Sequence, residues 1–396
     1  MTKKWVNIAD VLFFQEGPGV RNTQYTTSGV KLLNVANLVD GKVDLSKSDR
    51  YISEEEAYGK YRHFLCDDGD FVIASSGIKV EYIDKKMGFV DASMLPLCMN
   101  TSTIRFKVLD ENQLRIRYFM YYLKSKHFKE QLTKQITGSA QLNYGPSHLK
   151  KMIMPLIDIT VQDEIISCMD KLQSIIETRQ RELIELDRLM KARFVELFGD
   201  PRSNPFGFEK KRLKDTCKVI TGNTPSRAIA EYYGDYIEWI KTDNIVSGIL
   251  NPTQATESLS EKGMNVGRTV EKDSILMACI AGSIASIGRV CITDRTVAFN
   301  QQINAVVPEQ YNILFLYVLF QMSKDYLVED INMALKGILS KSKLEEKEFI
   351  IPPMDLQEQF SDFVKQVNKS KFDTMTFAPI YAIINLYLHT YFYQGR

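Results

Sequence analysis

Internal repetition constrains this chain more than any other feature. Over its 396 residues the sequence runs through one plan twice. IMPLIDITVQDEI (153–165) resembles IIPPMDLQEQF (350–360), with Pro155 over Pro352 and Gln162 over Gln359, both 197 apart. RYFMYYL (117–123) lines up with LFLYVLF (314–320) at the same spacing. Asn100-Thr101 falls over Asn300-Gln301, and Asp70-Phe71-Val72-Ile73 over Asp273-Ser274-Ile275-Leu276, at 200 and 203. VKLLNVANLVDGKV (30–43) fits IEWIKTDNIVSGIL (237–250), with Asn37 over Asn244 and Gly41 over Gly248 at 207. The spacing drifts through small insertions while the order never breaks. Five collinear matches are not chance, and a period near half the chain means two copies of one fold, each long enough to bury its own core.

The plan predicts a globular unit over 1–154, a helical segment over 155–200, a second unit over 201–351 and a second helical segment over 352–396. Runs such as FVIAS (71–75), STIRFKV (102–108) and INAVV (303–307) read as strands, with GPGVRNT (17–23) and TGNTPS (221–226) as loops. Late in each unit an apolar helix candidate (117–130; 313–328) precedes a glycine loop, TGSAQLNYG or KGILSKS. Each unit is therefore mixed α+β. From 162 to 198 the pattern changes: Ile165, Met169, Leu172, Ile176, Leu183, Leu186, Met190 and Leu197 recur every three and four residues, with Arg179 and Arg193 in the missing places. Leu356, Phe360, Phe363 and Val367 start the same seam in the second copy. Such a stripe needs a partner. Either each helix packs on its own globular unit, or the two pair antiparallel as a spacer; the length of the stripe favours the pair.

Fifty Lys and Arg against 49 Asp and Glu leave a net charge of +1, which excludes a histone-like basic protein and leaves room for local basic patches. The six cysteines (66, 98, 168, 217, 279, 291) form no C-x-x-C, and the histidines (63, 127, 148, 389) never stand three to five apart, so no zinc site is expected. Residues 1–12 lack a signal-peptide apolar region, and 377–393 is too short for a bilayer and carries Pro379, Asn385 and His389. A cytoplasmic chain without a membrane anchor is the expectation. No phosphate-binding loop, H-E-x-x-H, nucleophile elbow or kinase set occurs. Asn204-Pro205-Phe206 lacks the second proline of an amino-methyltransferase tetrad, Gly282 and Gly288 are too few for a cofactor loop, and the E-x-K tripeptides at 209–211 and 345–347 are of a kind that charged helix ends produce at random. The chain is expected to bind and to leave chemistry to others.

Side chains suited to base edges cluster in loops: Gln15, Arg21, Asn22 and Gln24 in the first unit, Asn223, Thr224, Ser226 and Arg227 in the second. Arginine pairs bidentately with guanine and Asn or Gln with adenine in the major groove. Basic runs suit phosphates: Arg115, Arg117, Lys124, Lys126 and Lys129, then Lys210, Lys211, Arg212, Lys214 and Lys218. For any one of these residues a solvated helix face is the commoner explanation. Two similar units on a helical spacer suit a split target on a duplex.

The whole arrangement resembles the DNA specificity subunit of type I restriction-modification systems. The matching text is FFQEGPGVRNTQYTTSGVKLLNVANLVDGKVDL (13–45), RYISEEEAYGKYRHFLCDDGDFVIASSG (50–77), KVITGNTPS (218–226) and WIKTDNI (239–245), with LMKARFVELFGDPRSN (189–204) as spacer and linker. The resemblance implies two target recognition domains, each reading half of a bipartite, interrupted sequence, and an antiparallel coiled coil that sets the gap. It implies recognition loops at 15–25, 75–80 and 138–145, and at 221–228, 281–287 and 336–342. Added to the residues above, these give Ser75, Ser76, Lys79, Ser139, Gln141, Asn143, Tyr144, Thr221, Ser283, Lys336 and Ser340. It implies double-stranded DNA, methylation subunits (usually two) and restriction and translocation subunits as partners. The chain itself would hold no cofactor, with S-adenosylmethionine, ATP and Mg²⁺ on those partners. A nuclease or methyltransferase with an unrecognised site, or an assembly scaffold that never touches bases, would be the alternatives. After KQVNKSKF (365–372) the chain departs from the family, since 373–396 has no Glu or Lys and contains Pro379. That stretch could pair with 180–198, pack on another subunit, or be a divergent tail.

Overall fold

The apolar runs of each half become strands of equivalent sheets. In the computed structural model, which describes residues 3–135, 142–331, 337–375, 384, 386 and 390–392, the chain divides into two units, Met1–Glu177 with Phe377–Arg396, and Thr178–Thr376. The first contains an antiparallel sheet in the order Leu12–Glu16, Thr103–Val108, Phe71–Ala74, Met87–Phe89. Phe71–Ala74 is continuously apolar because both of its faces are buried. Val30–Leu33 pairs parallel with Leu97–Met99, and Lys4–Asn7 antiparallel with Ile153–Leu156. The second unit repeats each piece: Cys217–Thr221, Ile303–Pro308, Ile275–Ala278 and Val290–Ile292 form the antiparallel sheet. Ile237–Ile240 runs parallel to Val297–Phe299, and Glu209–Arg212 antiparallel to Glu348–Ile351. The α+β class with two similar units and two long helices, Ile159–Phe198 and Met354–Met375, is what the structure has.

Strand register corrects two of the expected alignments. Thr103 lies across from Ala74 as Ile303 does from Ala278, so buried Asp70 corresponds to Ser274 and not to Asp273. Gln162 corresponds to Gln357, two residues short of Gln359. Gln162 is fully buried, accepts from Arg115 N at 2.9 Å and donates to Gln113 O and Ile157 O at 2.8 and 2.9 Å. Gln357 is equally buried, accepts from Asn312 N at 2.9 Å and donates to Pro352 O at 2.8 Å. Each glutamine thus ties the start of the long helix to the backbone just before an earlier apolar helix (Ile116–Lys124 or Ile313–Met322). Gln359 is exposed. The two successive prolines at 352 and 353 made the shifted alignment look better than the true one.

The helix seam holds at Ile165, Met169 and Ile176, buried in the first unit, and at Met190, buried in the second. It then shifts. In the second unit Phe194 and Phe198 are fully buried where Arg193 and Leu197 were expected, because an α-helix drifts off a strict seven-residue repeat unless it supercoils. Phe194 and Phe198 pack on Phe360 (5.6 and 5.5 Å between centroids) and on Phe315 (5.7 and 4.8 Å). Eleven residues on along each helix, about three turns, the half-exposed Asp187 takes the ammonium of buried Lys371. Phe198 and Asp187 descend one helix as Phe360 and Lys371 ascend the other, so the pair is antiparallel. Both arrangements left open by the sequence occur in part: Ile165 and Met169 pack in the core of the preceding globular unit, whereas Phe194 and Phe198 pack on the partner helix and on Phe315 of the following one.

Of the atypical C-terminal stretch, Phe392 is 1 % exposed and packs on Tyr118 and Tyr122 at 5.3 and 5.5 Å. Ile384 and Tyr391 join the same first-unit core, which includes Ile165 and Met169. The described residues of this stretch thus pack in the first-unit core, where pairing with 180–198, packing on another subunit or a divergent tail had been the open alternatives. Among the described residues no helix is long and apolar enough to cross a membrane.

Candidate nucleic-acid interface

Three loops meet at one end of each main sheet because backbone bonds leave them no choice. In the first unit Gly17 N donates to Thr103 O at 2.9 Å, Ser75 N to Ser102 O at 2.8 Å and Tyr144 N to Ser75 O at 3.0 Å. In the second, Gly222 N donates to Ile303 O at 3.0 Å, Cys279 N to Gln302 O at 2.8 Å and Leu339 N to Cys279 O at 2.8 Å. Two short antiparallel pairings complete the junction, Leu142–Asn143 on Ser76–Ile78 and Gly337–Ile338 on Ile280–Ala281. Gly17 and Gly222 are the shared pivots: a Cβ on either would stand 2.1 Å from the carbonyl oxygen of Asn100 or Asn300. Segments 15–25, 75–80 and 143–145 thus converge in one unit, and 221–228, 281–287 and 337–342 in the other.

Side chains in these loops divide into supports and exposed groups. Gln15 accepts from Arg105 Nη2 at 2.7 Å inside the first unit, and Gln24 is held by Glu56, Tyr61 and Arg21 N. Ser75 is fully buried with its hydroxyl on Glu16 at 3.3 Å. Tyr144, 2 % exposed, donates to Ala74 O at 3.0 Å, and burial raises its phenol well above the usual value. Ser75 and Tyr144 are thus covered in this structure and support the loops rather than presenting their side chains to the solvent. Ser76 bonds Ser102 at 2.6 Å, while Arg21, Asn22, Lys79 and Asn143 are exposed. Ser139, Gln141 and Lys336 lie outside the described residues.

In the second unit Asn223 is committed at both ends, donating to Val266 O and accepting from Arg268 N, each at 2.8 Å. Thr221 bonds Asn304 Oδ1 at 2.8 Å and Thr224 bonds Gln301. Ser283 bonds Ser286 at 3.0 Å, and Ser340 caps helix Lys341–Glu346 by accepting from Lys343 N at 3.3 Å. Ser226 and Arg227 are exposed. Arg227 donates to Glu257 Oε2 at 2.6 Å, and Lys241 donates to Glu257 Oε1. Those two cations, Lys241 first, hold the Glu257 carboxyl below its usual range. Sequence reasoning missed Glu257: it lies 30 residues from Arg227, with no local signal. Lys241 was visible in WIKTDNI but not read as part of the site. Exposed apolar side chains, Ile284 and Ile338 at 44 % and 46 %, also stand in these loops.

The expected phosphate-binding runs do other work. Arg115 grips Asp163 at 2.8 and 3.1 Å and Arg117 grips Asp170 at 2.7 and 2.6 Å, both carboxylates being on the long helix. Lys129 bonds Glu81 O and Asp84, at 3.2 and 3.3 Å, and Lys126 pairs with Glu130 at 3.6 Å. Lys210 donates to Arg202 O at 2.9 Å, Lys211 pairs with Glu209 at 3.5 Å, and Arg212 and Lys214 share Glu346 at 3.1 and 2.5 Å. Lys218 remains exposed. These cations mostly bind elements of the protein to each other. Among the described residues no three His, Cys, Asp or Glu are grouped to hold a metal ion. Lys347, in one of the E-x-K tripeptides, is 7 % exposed and taken by Glu329 and Asp330 at 3.4 and 3.1 Å.

Known proteins agree with this doubled plan. The family model of the type I restriction modification DNA specificity domain matches twice, over 18–188 and 205–379. The Type I restriction enzyme HindI specificity subunit of Haemophilus influenzae is 33 % identical over 146 residues, 35 % of this chain and 31 % of that protein. The match thus spans about a third of that relative's length. The MjaIX specificity subunit of Methanocaldococcus jannaschii is 24 % identical over 302 residues, covering 70 % of this chain and 68 % of that one. The solved S subunit of a type I restriction-modification system from M. genitalium has a TM-score of 0.58 at 14 % identity, covering 100 % of this chain and 97 % of its own. A chain solved in work on complex assembly and conformational transition of the type I R-M system gives 0.55 at 15 %, covering 98 % and 97 %. At such identities the two structures speak for the fold. With both family matches covering most of its residues, the chain belongs to the type I restriction-modification DNA specificity family.

Proposed function

We propose that this chain is the sequence-reading, non-catalytic subunit of a type I restriction-modification complex in the cytoplasm. Each globular unit reads one half of a bipartite, interrupted target on double-stranded DNA. The helices set the gap and dock two methylation subunits and the restriction and translocation subunits. Those partners bring S-adenosylmethionine, ATP and Mg²⁺, modify adenine and cleave unmodified DNA. Target recognition domains at 1–154 and 201–351, with helical spacers at 155–200 and 352–396, are the working boundaries. The observation that carries the reading is the duplicated convergence of three loops at one sheet end, fixed in both units by backbone bonds to the strand that follows Asn100 or Asn300. Arg21, Asn22, Lys79 and Asn143 in one unit, and Thr221, Thr224, Ser226, Arg227 and Ser283 in the other, are exposed side chains available for base edges.

Selection from random duplexes tests it. The full chain with methylation subunits should enrich two short half-sites at a fixed separation. Enrichment of nothing would favour a pure scaffold. Cleavage or methyl transfer by the purified chain alone, given DNA, Mg²⁺, ATP and S-adenosylmethionine, would favour an enzyme.

A further inference from the structure

The cluster around Arg227 is more specific than an exposed arginine in a loop. Its guanidinium stands 4.5 Å from the ring centre of Tyr233 and 5.3 Å from that of Trp239, and the Lys241 ammonium stands 5.1 Å from Trp239. Trp239 is 3 % exposed and donates to Asn223 O at 3.3 Å, and Tyr233 donates to Pro225 O at 2.7 Å. The aromatic platform is therefore bonded to the loop that carries Arg227, which fixes the arginine against it. Glu257 closes the arrangement from the other side, one carboxylate oxygen on Arg227 and the other on Lys241. The Arg227 and Glu257 side chains are 56 % and 35 % exposed, so both present an edge to the solvent.

An arginine beside a glutamate offers two N–H donors and then an acceptor. In the major groove a G·C pair offers the complement, guanine N7 and O6 as acceptors and cytosine N4–H₂ as donor. An A·T pair would set its adenine N6–H₂ against the guanidinium and its thymine O4 against the carboxylate, so the same two side chains that accept G·C reject A·T. We propose that Arg227 and Glu257 together read one G·C pair in the half-site of the second unit, with Trp239, Tyr233 and Lys241 as positioning residues. This rests on the DNA-reading function above and adds a base pair to it. Among the described residues the first unit has no counterpart: its strand Val30–Leu33 and the turn after it place Leu32 and Asn34 where Trp239 and Lys241 stand. Its half-site is the internal control.

The full chain, with methylation subunits, is put through selection from a randomised duplex pool as wild type, R227A, R227K and E257A, with thermal melting of each. The wild type should require a G·C pair at one position of the second half-site. R227A should lose about tenfold or more of that preference. R227K keeps the charge without the fork, so it should lose the preference while retaining the wild-type salt dependence. E257A should bind duplexes without the site more tightly and discriminate less at that one position. The first half-site should not change in any variant. A second half-site lacking G·C, or one whose preferences survive both R227A and R227K, overturns this inference alone. A wild type that enriches no bipartite sequence overturns the function on which it rests.

Discussion

Arg105 and Asp70 show how differently the two copies solve one position, and a mutant cycle makes the difference measurable. Arg105 is 7 % exposed and Asp70 2 %. The guanidinium donates to Leu65 O (2.7 Å), His63 O (2.8 Å), Gln15 Oε1 (2.7 Å) and Asp70 Oδ2 (3.2 Å). At the same sheet positions the second unit has Ala305, Ser274 and, for Gln15, Ile220. Asp70→Ser leaves a buried guanidinium with neutral partners only, and removing one member of a buried pair costs about 3–5 kcal/mol. Arg105→Ala should lie at the lower end of that range, because Asp70 keeps Lys107 at 3.3 Å and the Asp67 N–H at 2.8 Å. Asp70→Ser/Arg105→Ala adopts the second unit's own solution, so it should cost about 0.5–3 kcal/mol less than the sum of the single changes, and adding Gln15→Ile should recover more. Hydrogen exchange resolves the units: peptides from Phe71–Ala74 and Thr103–Val108 should lose about two to four orders of magnitude of protection in Asp70→Ser and about two in Arg105→Ala, while Ile275–Ala278 and Ile303–Pro308 stay unchanged. Single variants that cost under about 1 kcal/mol, or a strictly additive double, would refute the reasoning.

Two further outcomes follow from buried or bonded polar groups. Gln162→Leu should destabilise the first unit more than Gln357→Leu destabilises the second, since the former orphans three backbone groups and the latter two. At about 1–3 kcal/mol for each unsatisfied group, unit-resolved hydrogen exchange would detect the difference, and a reversed order contradicts it. Asp44, Asp91 and Asp158 are held below the ordinary value of 3.8, foremost by the hydroxyls of Ser46, Ser93 and Thr160. A lowered folded pKa stabilises above the unfolded value and is lost as pH falls through the folded one. Urea midpoints should therefore drop from neutral pH to below pH 3.8, and a midpoint that holds or rises would exclude these turns as contributors.

What the sequence made legible was whatever repeats. The strands and the buried turn asparagines Asn37 and Asn244 recur in order, and each copy supports the other's reading, whereas the meeting of Gly17 with Asn100 became visible only in the structure. Gln162 and Gln357 were half legible: the residue type was right, but a pair of prolines drew the alignment two residues aside. The seam failed at Phe194 and Phe198 because pattern reading kept a strict seven-residue spacing from which the helix drifts, and those rings meet both Phe360 and Phe315. Charge was the least legible. Arg115 and Arg117 looked like phosphate ligands until the fold brought Asp163 and Asp170 to them from some fifty residues away, and Glu257 was invisible because no local pattern connects it to Arg227.

The pivots permit a stricter test of the idea that one scaffold carries two independent readers. Neither Gly17 nor Gly222 has a positive φ, so replacing either by alanine strains nothing in the backbone itself. The cost is purely steric: the new methyl would sit 2.1 Å from Asn100 O or Asn300 O, and both are backbone atoms that cannot swing away. The loop must lift from the strand end, losing the bond from Gly17 N to Thr103 O or from Gly222 N to Ile303 O, at about 1–3 kcal/mol for an overpacked site. If the exposed side chains on the loop just beyond read bases as proposed, Gly17→Ala should blur the half-site of the first unit and Gly222→Ala that of the second, with the gap between them unchanged. Duplex selection reads all three quantities at once. If both variants blurred both halves, or shifted the spacing, the loops would not be independent of the helices, and the division of labour between sheet ends and spacer would have to be abandoned.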